Sequence, residues 1–506
     1  MIRKNILPIV MLACSVSSAF AQEKVDLNIM SKIRQEGLQR SEIMAQAFYL
    51  TDVNGPRLSS SPGLKKAQVW AVNTLKGWGL KNVNLEPWGE FGQGWEVERT
   101  YVAMNSPYYH PIIAIPRAWS GSTAGLIKSD VVVLKPDTNE VLRMKGKLKG
   151  RIVIFDVKED TLATTFKSDG SRFTDEDIAA VEAAPPLKRA DPAVAARIKA
   201  TRQRLNDLLY QEQVALVLSL AKGRHGTVFM TAAASFAADA KPACAELDVS
   251  GEDYLRILRL VKAGHPVRLE ADIKTKFIKE DTKGYNVIAE IPGTDPKLKN
   301  EVVMLGAHLD SWHLATGATD NASGVAVMME AVRIIKKLGL NNKRTIRIAL
   351  WSSEEQGLYG SKNYVAKHFG DVATKNLKPA QKDISAYYNL DNGAGKIRGI
   401  YLQSNPGVKP IFEEWLKPFH DLGATYTVQR NAGSTDHISF DALGIPGFEF
   451  TQDKLEYFTR THHTNQDTYD RLIEADLKQA AVVVAAFVYN TAQREEKLPR
   501  KPLTKN

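Results

Sequence analysis

From Asp281 onward the chain alternates short apolar runs with longer stretches of helical period, and this alternation constrains the fold more than any other feature. Residues 302–305, 346–351 and 386–390 read as buried strands, with amphipathic helices between them. That pattern predicts an α/β domain, an α/β/α sandwich around a mostly parallel sheet. Each of the three strands runs directly into a polar cluster. In open sheets of this kind ligands bind beyond the carboxyl ends of the strands, so a site is to be sought in those clusters.

The remainder divides by character. Apolar residues recur at helical spacing over 27–80, interrupted by the turn signal Asn54-Gly55-Pro56, which reads as a helical entry segment. The β-branched run Val131-Val132-Val133 and the stretch 151–155 then read as strands, 192–212 as one exposed helix, and 214–220 as a buried strand. A chain of 506 residues calls for two or three folding units. The expected division is a leader at 1–21, two segments of one α/β domain at 22–118 and 275–496, a β-rich module inserted at 119–274, and a basic tail at 497–506. The charged, alanine-rich part of the insert, about 157–205, carries no chemical motif.

Arg3 and Lys4 precede an apolar stretch that ends in the small-residue run Ala19-Phe20-Ala21, the pattern of an export signal cleaved after Ala21. The stretch is shorter than the roughly 18 to 20 residues a membrane span needs, and Met11-Leu12-Ala13 is a poor lipobox ahead of Cys14, so no stable membrane anchor is expected. A periplasmic or secreted location follows. Cleavage removes Cys14, leaves Cys244 alone and excludes an intramolecular disulfide. It also lowers the formal net charge from +10 to +8 by taking away Arg3 and Lys4, and part of the remainder sits in the tail. No stripe of clustered basic residues with interleaved aromatics is present, which argues against nucleic acid as a partner. A homodimer is a possible assembly.

The polar clusters carry the chemistry. Gly306-Ala307-His308-Leu309-Asp310-Ser311-Trp312 follows the first strand, and Gly317-Ala318-Thr319-Asp320-Asn321-Ala322-Ser323-Gly324 opens the next helix. Ser352-Ser353-Glu354-Glu355-Gln356-Gly357 follows the second strand, Asp391-Asn392-Gly393 the third, and His462-His463 lies near the C-terminus. Singly, each has an ordinary reading: a structural histidine, a helix start, a turn, an N-cap, a surface loop. Jointly they supply the imidazoles and carboxylates, drawn from several elements, that a pair of zinc ions needs. Asn321-Ala322-Ser323 formally matches a glycosylation sequon, but its place inside this motif predicts no glycan.

These stretches resemble the M28 family of zinc exopeptidases, particularly its carboxypeptidase Q-like branch with an inserted protease-associated domain. The resemblance runs from Tyr49-Leu50 and Asn54-Gly55-Pro56-Arg57 through Gly94-Trp95 to Asp467-Thr468. It implies one zinc on His308 and Asp391, a second on Glu355 and His463, and Asp320 bridging the two. Glu354 is implied as the general base that takes the proton of the attacking water and returns it to the leaving amine. Asp310 fits a carboxylate that orients His308. Asp436 and His437 match a motif near the substrate pocket. Where relatives place an oxyanion-donating tyrosine, this chain has Asn431-Ala432-Gly433, and Tyr457 is the candidate substitute. Peptides are the implied substrates, with the end that is cut left open. A single-zinc glutaminyl cyclase and a non-catalytic receptor ectodomain share the fold, but the complete ligand set with its base argues against both.

Overall fold

In the strand Val302–His308, period-two alternation sends Val303, Leu305 and Ala307 to one face of a sheet and Val302 and Met304 to the other, and both faces are buried. This strand lies at the centre of an eight-stranded sheet. It pairs in parallel with Thr345–Trp351 on one side and Ile384–Asn389 on the other, and Gly447–Gln452 continues the parallel run. Lys81–Glu90 and Lys283–Ile291 extend the sheet antiparallel at one edge, and Ile397–Tyr401 with Tyr426–Val428 complete the other. Leu27–Gln39, Pro62–Gly77, Ser323–Lys337 and Glu474–Gln493 cover one face. Tyr359–His368 and His437–Asp441 cover the second. The expected α/β/α sandwich is therefore present.

The computed structural model describes residues 23–158, 166–184 and 191–503. The leader expected at 1–21 and the last residues of the tail lie outside them. Among the described residues, no helix is long and apolar enough to cross a membrane.

A second eight-stranded sheet runs in the order His110–Pro111, Gly94–Ser106, Arg268–Ile278, Ile127–Leu134, Ile152–Phe155, Leu216–Leu220, Glu246–Val249, Ala114–Pro116. Gly251–Lys262 packs on one face of it. Thr138–Arg143 and Pro192–Gln211 pack on the other, the latter burying only Leu209. The boundary expected at 118 falls inside this sheet: Gly94–Ser106, His110–Pro111 and Ala114–Pro116 all pair within it. The reason is a long ribbon in which Gly94–Ser106 lies antiparallel to Arg268–Ile278, from Gly94 opposite Ile278 to Ser106 opposite Arg268. The partner of each strand is far away in sequence, so neither betrays its sheet locally.

The described part of the 157–205 stretch reaches back to the first sheet. Ser171 bridges to Leu455, Arg172 pairs with Asp453 and Asp476 at 2.8 Å each, and Asp169 pairs with Arg460. Glu182 accepts from the Gln429 amide at 2.9 Å. These contacts make residues 169–182, which belong in sequence to the second sheet's segment, a strap on the first.

Candidate metal centre

Strand ends of the first sheet, the turn that opens the helix Ser323–Lys337 and the loop after Thr461 bring the predicted residues to one place. His308 ends its strand with Nε2 at 3.1 Å from Asp391 Oδ1 and 3.3 Å from Asp320 Oδ1. His463 Nε2 lies 3.2 Å from Asp320 Oδ2 and 2.8 Å from Glu355 Oε2. Asp320 thus turns one carboxylate oxygen to each imidazole. His462, named beside His463 in the sequence but given no ligand role, is stacked on His463 with ring centroids 3.7 Å apart, but its Nε2 is 3.9 Å from Asp320, so His463 is the nearer candidate.

The backbone around these groups is shaped for close approach. The Asp320–Asn321 peptide is cis. Asn321, not Asp320, caps the helix Ser323–Lys337: its Oδ1 accepts from the Gly324 amide at 3.0 Å, and its Nδ2 donates to the Leu390 carbonyl at 2.9 Å. Only glycine fits at 324, because a Cβ would stand 2.4 Å from the Leu390 carbonyl oxygen. Asn321 is fully buried, which closes the sequon to a glycan. Ser353 and His463 both hold left-handed backbone, φ 59°, a conformation that costs energy in a residue with a side chain and concentrates at functional sites.

Asp310 acts differently from its predicted role. The ring nitrogen Nδ1 of His308 meets the backbone carbonyl of Asp310 at 3.0 Å, whereas the carboxylate is 3.7 Å away. That carboxylate instead accepts the backbone amides of Glu354 at 3.2 Å and Glu355 at 3.3 Å, fixing the turn that carries both glutamates. Asp436 is fully buried, and neither of its carboxylate oxygens has a hydrogen-bond partner. His437 is packed against Gln403 and the Ala432 carbonyl, and its nearest carboxylate is Glu449 at 3.7 Å. Tyr457 is buried beside the cluster with its ring on Gly393, where φ is +95° and a Cβ would approach the ring to 3.0 Å.

Three supporting residues carry no strong local signal. Asp467 accepts the amides of Thr319 at 2.6 Å and Asp320 at 3.1 Å. Glu449 accepts from the Asp391 amide at 2.8 Å. Arg57 is buried and donates to the carbonyls of Leu50, Leu309, Thr316 and Gly317, which ties the entry segment under the cluster. Each of these is a tertiary contact between distant segments. The isolated residue looks like any charged loop position, although Asp467 and Arg57 lie in stretches the sequence already marks.

The electrostatics are those of excess negative charge held out of water. Burial, and the neighbours Asp391, Asp436 and Glu355, hold the Glu354 carboxyl well above its ordinary range against the pull of His308. Burial raises Glu355 to about 7 and Asp436 to about 7, with Asp320 and Asp391 among the respective like-charged neighbours. Burial disfavours a charge on His463, but Glu355 and Asp320 outweigh it and raise the ring to about 11. Burial likewise opposes a charge on His308, yet Asp391 and Glu354 hold it well above its ordinary value. Asp320 Oδ2 and Glu355 Oε1 are buried without hydrogen-bond partners. Orphaned carboxylate oxygens that converge on two imidazoles are a donor set for cations, and His/carboxylate donors suit zinc.

The sequence profile of Peptidase family M28 matches residues 286–488. Carboxypeptidase Q of Bos taurus is 27% identical over 483 residues, which cover 95% of this chain and 90% of the relative. Among solved structures, a peptidase M28 precursor from Shewanella amazonensis superposes with a TM-score of 0.66 at 24% identity, covering 94% of this chain and 98% of its own. A zinc aminopeptidase from Bacillus subtilis superposes with a TM-score of 0.54 at 18% identity, covering 88% and 93%.

Proposed function

Because the chain belongs to peptidase family M28, we propose that this metallopeptidase is an exported two-zinc exopeptidase, hydrolysing the terminal bonds of peptide substrates. The observation that carries the reading is the position of Asp320, with one oxygen 3.3 Å from His308 and the other 3.2 Å from His463. His308 and Asp391 would hold one ion, Glu355 and His463 the other, and Asp320 both. The unpartnered oxygens of Asp320 and Glu355 fit that assignment. Zinc held there supplies Lewis-acid polarisation of the scissile carbonyl and of the attacking water.

The remaining steps belong to the chain. Glu354 Oε2 stands 4.0 Å from His308 and is not needed as a ligand, which leaves it to take the proton from water and return it to the leaving amine. Asp310 holds the glutamate turn in register through the two backbone amides. Tyr457, buried against the same carboxylates, is the candidate donor to the oxyanion. The second sheet, about 94–278, is read as a protease-associated type of insert that shapes access to the cleft. The leader at 1–21 is assigned to export, and a homodimer is a possible assembly.

Metal analysis of zinc-reconstituted protein is expected to saturate near two ions per chain; saturation at one removes the two-metal assignment. Digestion of an unblocked tripeptide beside its N-acetylated and C-amidated forms, with products identified by mass, then reads out which end is cut. Cleavage of internal bonds in a long, doubly blocked peptide would overturn the exopeptidase reading.

A further inference from the structure

A cavity of about 620 Å³ opens beside the metal centre, where the strap, residues 220–229 and residues 458–460 meet. Its size is that of a small-ligand site. Two of its walls continue directly into the centre. Residues 227–229 lead to Met230, whose amide donates to the His463 carbonyl at 2.7 Å, and Phe458 stands with its ring 5.8 Å from that of His462.

The lining combines aromatic and cationic groups. Phe229 and Phe458 supply apolar surface, and Phe458 is 58% exposed. Lys167, Lys222, Arg224 and Arg460 lie in the lining with His225, against Asp169 as the carboxylate there. Arg460 is already neutralised by Asp169 and by Glu456 at 2.9 Å. Lys167 and Lys222 are exposed and form no ion pair among the described residues. Lys167 directly precedes the strap, which the ion pairs of Asp169 and Arg172 hold in place.

We propose that this cavity is a substrate subsite that selects a carboxylate on the part of the peptide away from the reacting bond, either a free C-terminus or an acidic side chain. The proposal rests on the peptidase reading and names the substrate feature that the same site prefers. Lys222 and Lys167 are its specificity residues, separate from the metal ligands and the base. Their attraction acts in solvent, so each contributes modestly and salt weakens it.

The test uses the zinc-loaded full chain and its Lys222→Glu and Lys167→Glu variants. The substrates are a neutral tripeptide with a free C-terminus, its C-amide, and a C-amide with glutamate at the last position. KM is measured, or Ki where a peptide binds uncut. The wild type is expected to bind both carboxylate-bearing peptides more tightly than the neutral amide. Each variant is expected to weaken those two by roughly fivefold while leaving the neutral amide and the kcat of cleaved peptides unchanged. A response confined to the free C-terminus or to the glutamate identifies the carboxylate's source and supports the subsite either way. Equal shifts for all three peptides, or none, overturn it. A zinc-loaded wild type that cleaves no tripeptide removes the peptidase reading, and the subsite falls with it. Cleavage without charge discrimination removes the subsite alone.

Discussion

Each sheet buries a group of carboxylates, and the two groups are balanced in opposite ways. In the second sheet, Glu246 and Asp248 share the guanidinium of Arg117, whose Nε is 3.0 Å from Asp248. Ser219 donates to Glu246 at 2.8 Å and Thr231 to Asp248 at 2.8 Å. In the first sheet, Asp320, Glu355 and Asp436 retain oxygens without a hydrogen-bond partner. The first group is closed by the protein's own cations and hydroxyls, whereas the second is left short of positive charge. A buried carboxylate that is fully paired is part of the scaffold; one left unpaired at converging strand ends marks a place where a cation is required.

Variants at the two groups can break this contrast. The largest effect is expected for Asp320→Ala, which takes a donor from both proposed ions at once. Zinc content should fall below two per folded chain and peptidase activity should be lost, and retention of both metals would contradict the bridging role. Glu354→Gln comes next: kcat should fall by roughly 10²- to 10⁴-fold while zinc stays bound. Loss of zinc from that variant would mean that Glu354 and Glu355 have exchanged roles.

Arg117→Ala tests the opposite half. Removing one partner of a buried ion network costs roughly 3–5 kcal/mol, read as a lower melting temperature or denaturant midpoint. Zinc per folded chain should be unchanged, and a variant that loses metal would show the two groups to be coupled. The smallest effect is expected at Cys244, beside Glu246. Burial pushes its thiol up to about 12, so the reactive thiolate is scarce at pH 8. Iodoacetamide should label it about a thousandfold more slowly than a free thiol, judged from the gap to an ordinary pKa near 8.5, and with no loss of activity. Rapid labelling would show that this part of the second sheet opens readily.

The proposed metal centre was legible because four of its residues sit where the strands end. His308, Glu354, Glu355 and Asp391 each follow an apolar run that could only be a buried strand, and the parallel register brings those ends together. Much of the surrounding support was not legible. Arg57, Glu449 and Asp467 act through hydrogen bonds to backbone groups far away in sequence. For Asp310, the residue was found but the atom was not: its carbonyl meets His308, and its carboxylate holds the glutamate turn.

The alternation of apolar strands and helices, with donors at the strand ends, by itself determined the α/β architecture and the chemical class of the site, because burial and side-chain chemistry are local properties of the chain. Only the tertiary structure decided where the second sheet begins, that Asp320 stands between the two imidazoles, and that Lys167, directly before the strap, lines a cavity beside them. Each of these depends on pairing between segments separated by tens to hundreds of residues. The local pattern fixes which face of a strand is buried, but which distant segment becomes its neighbour is decided by the packing of the whole chain.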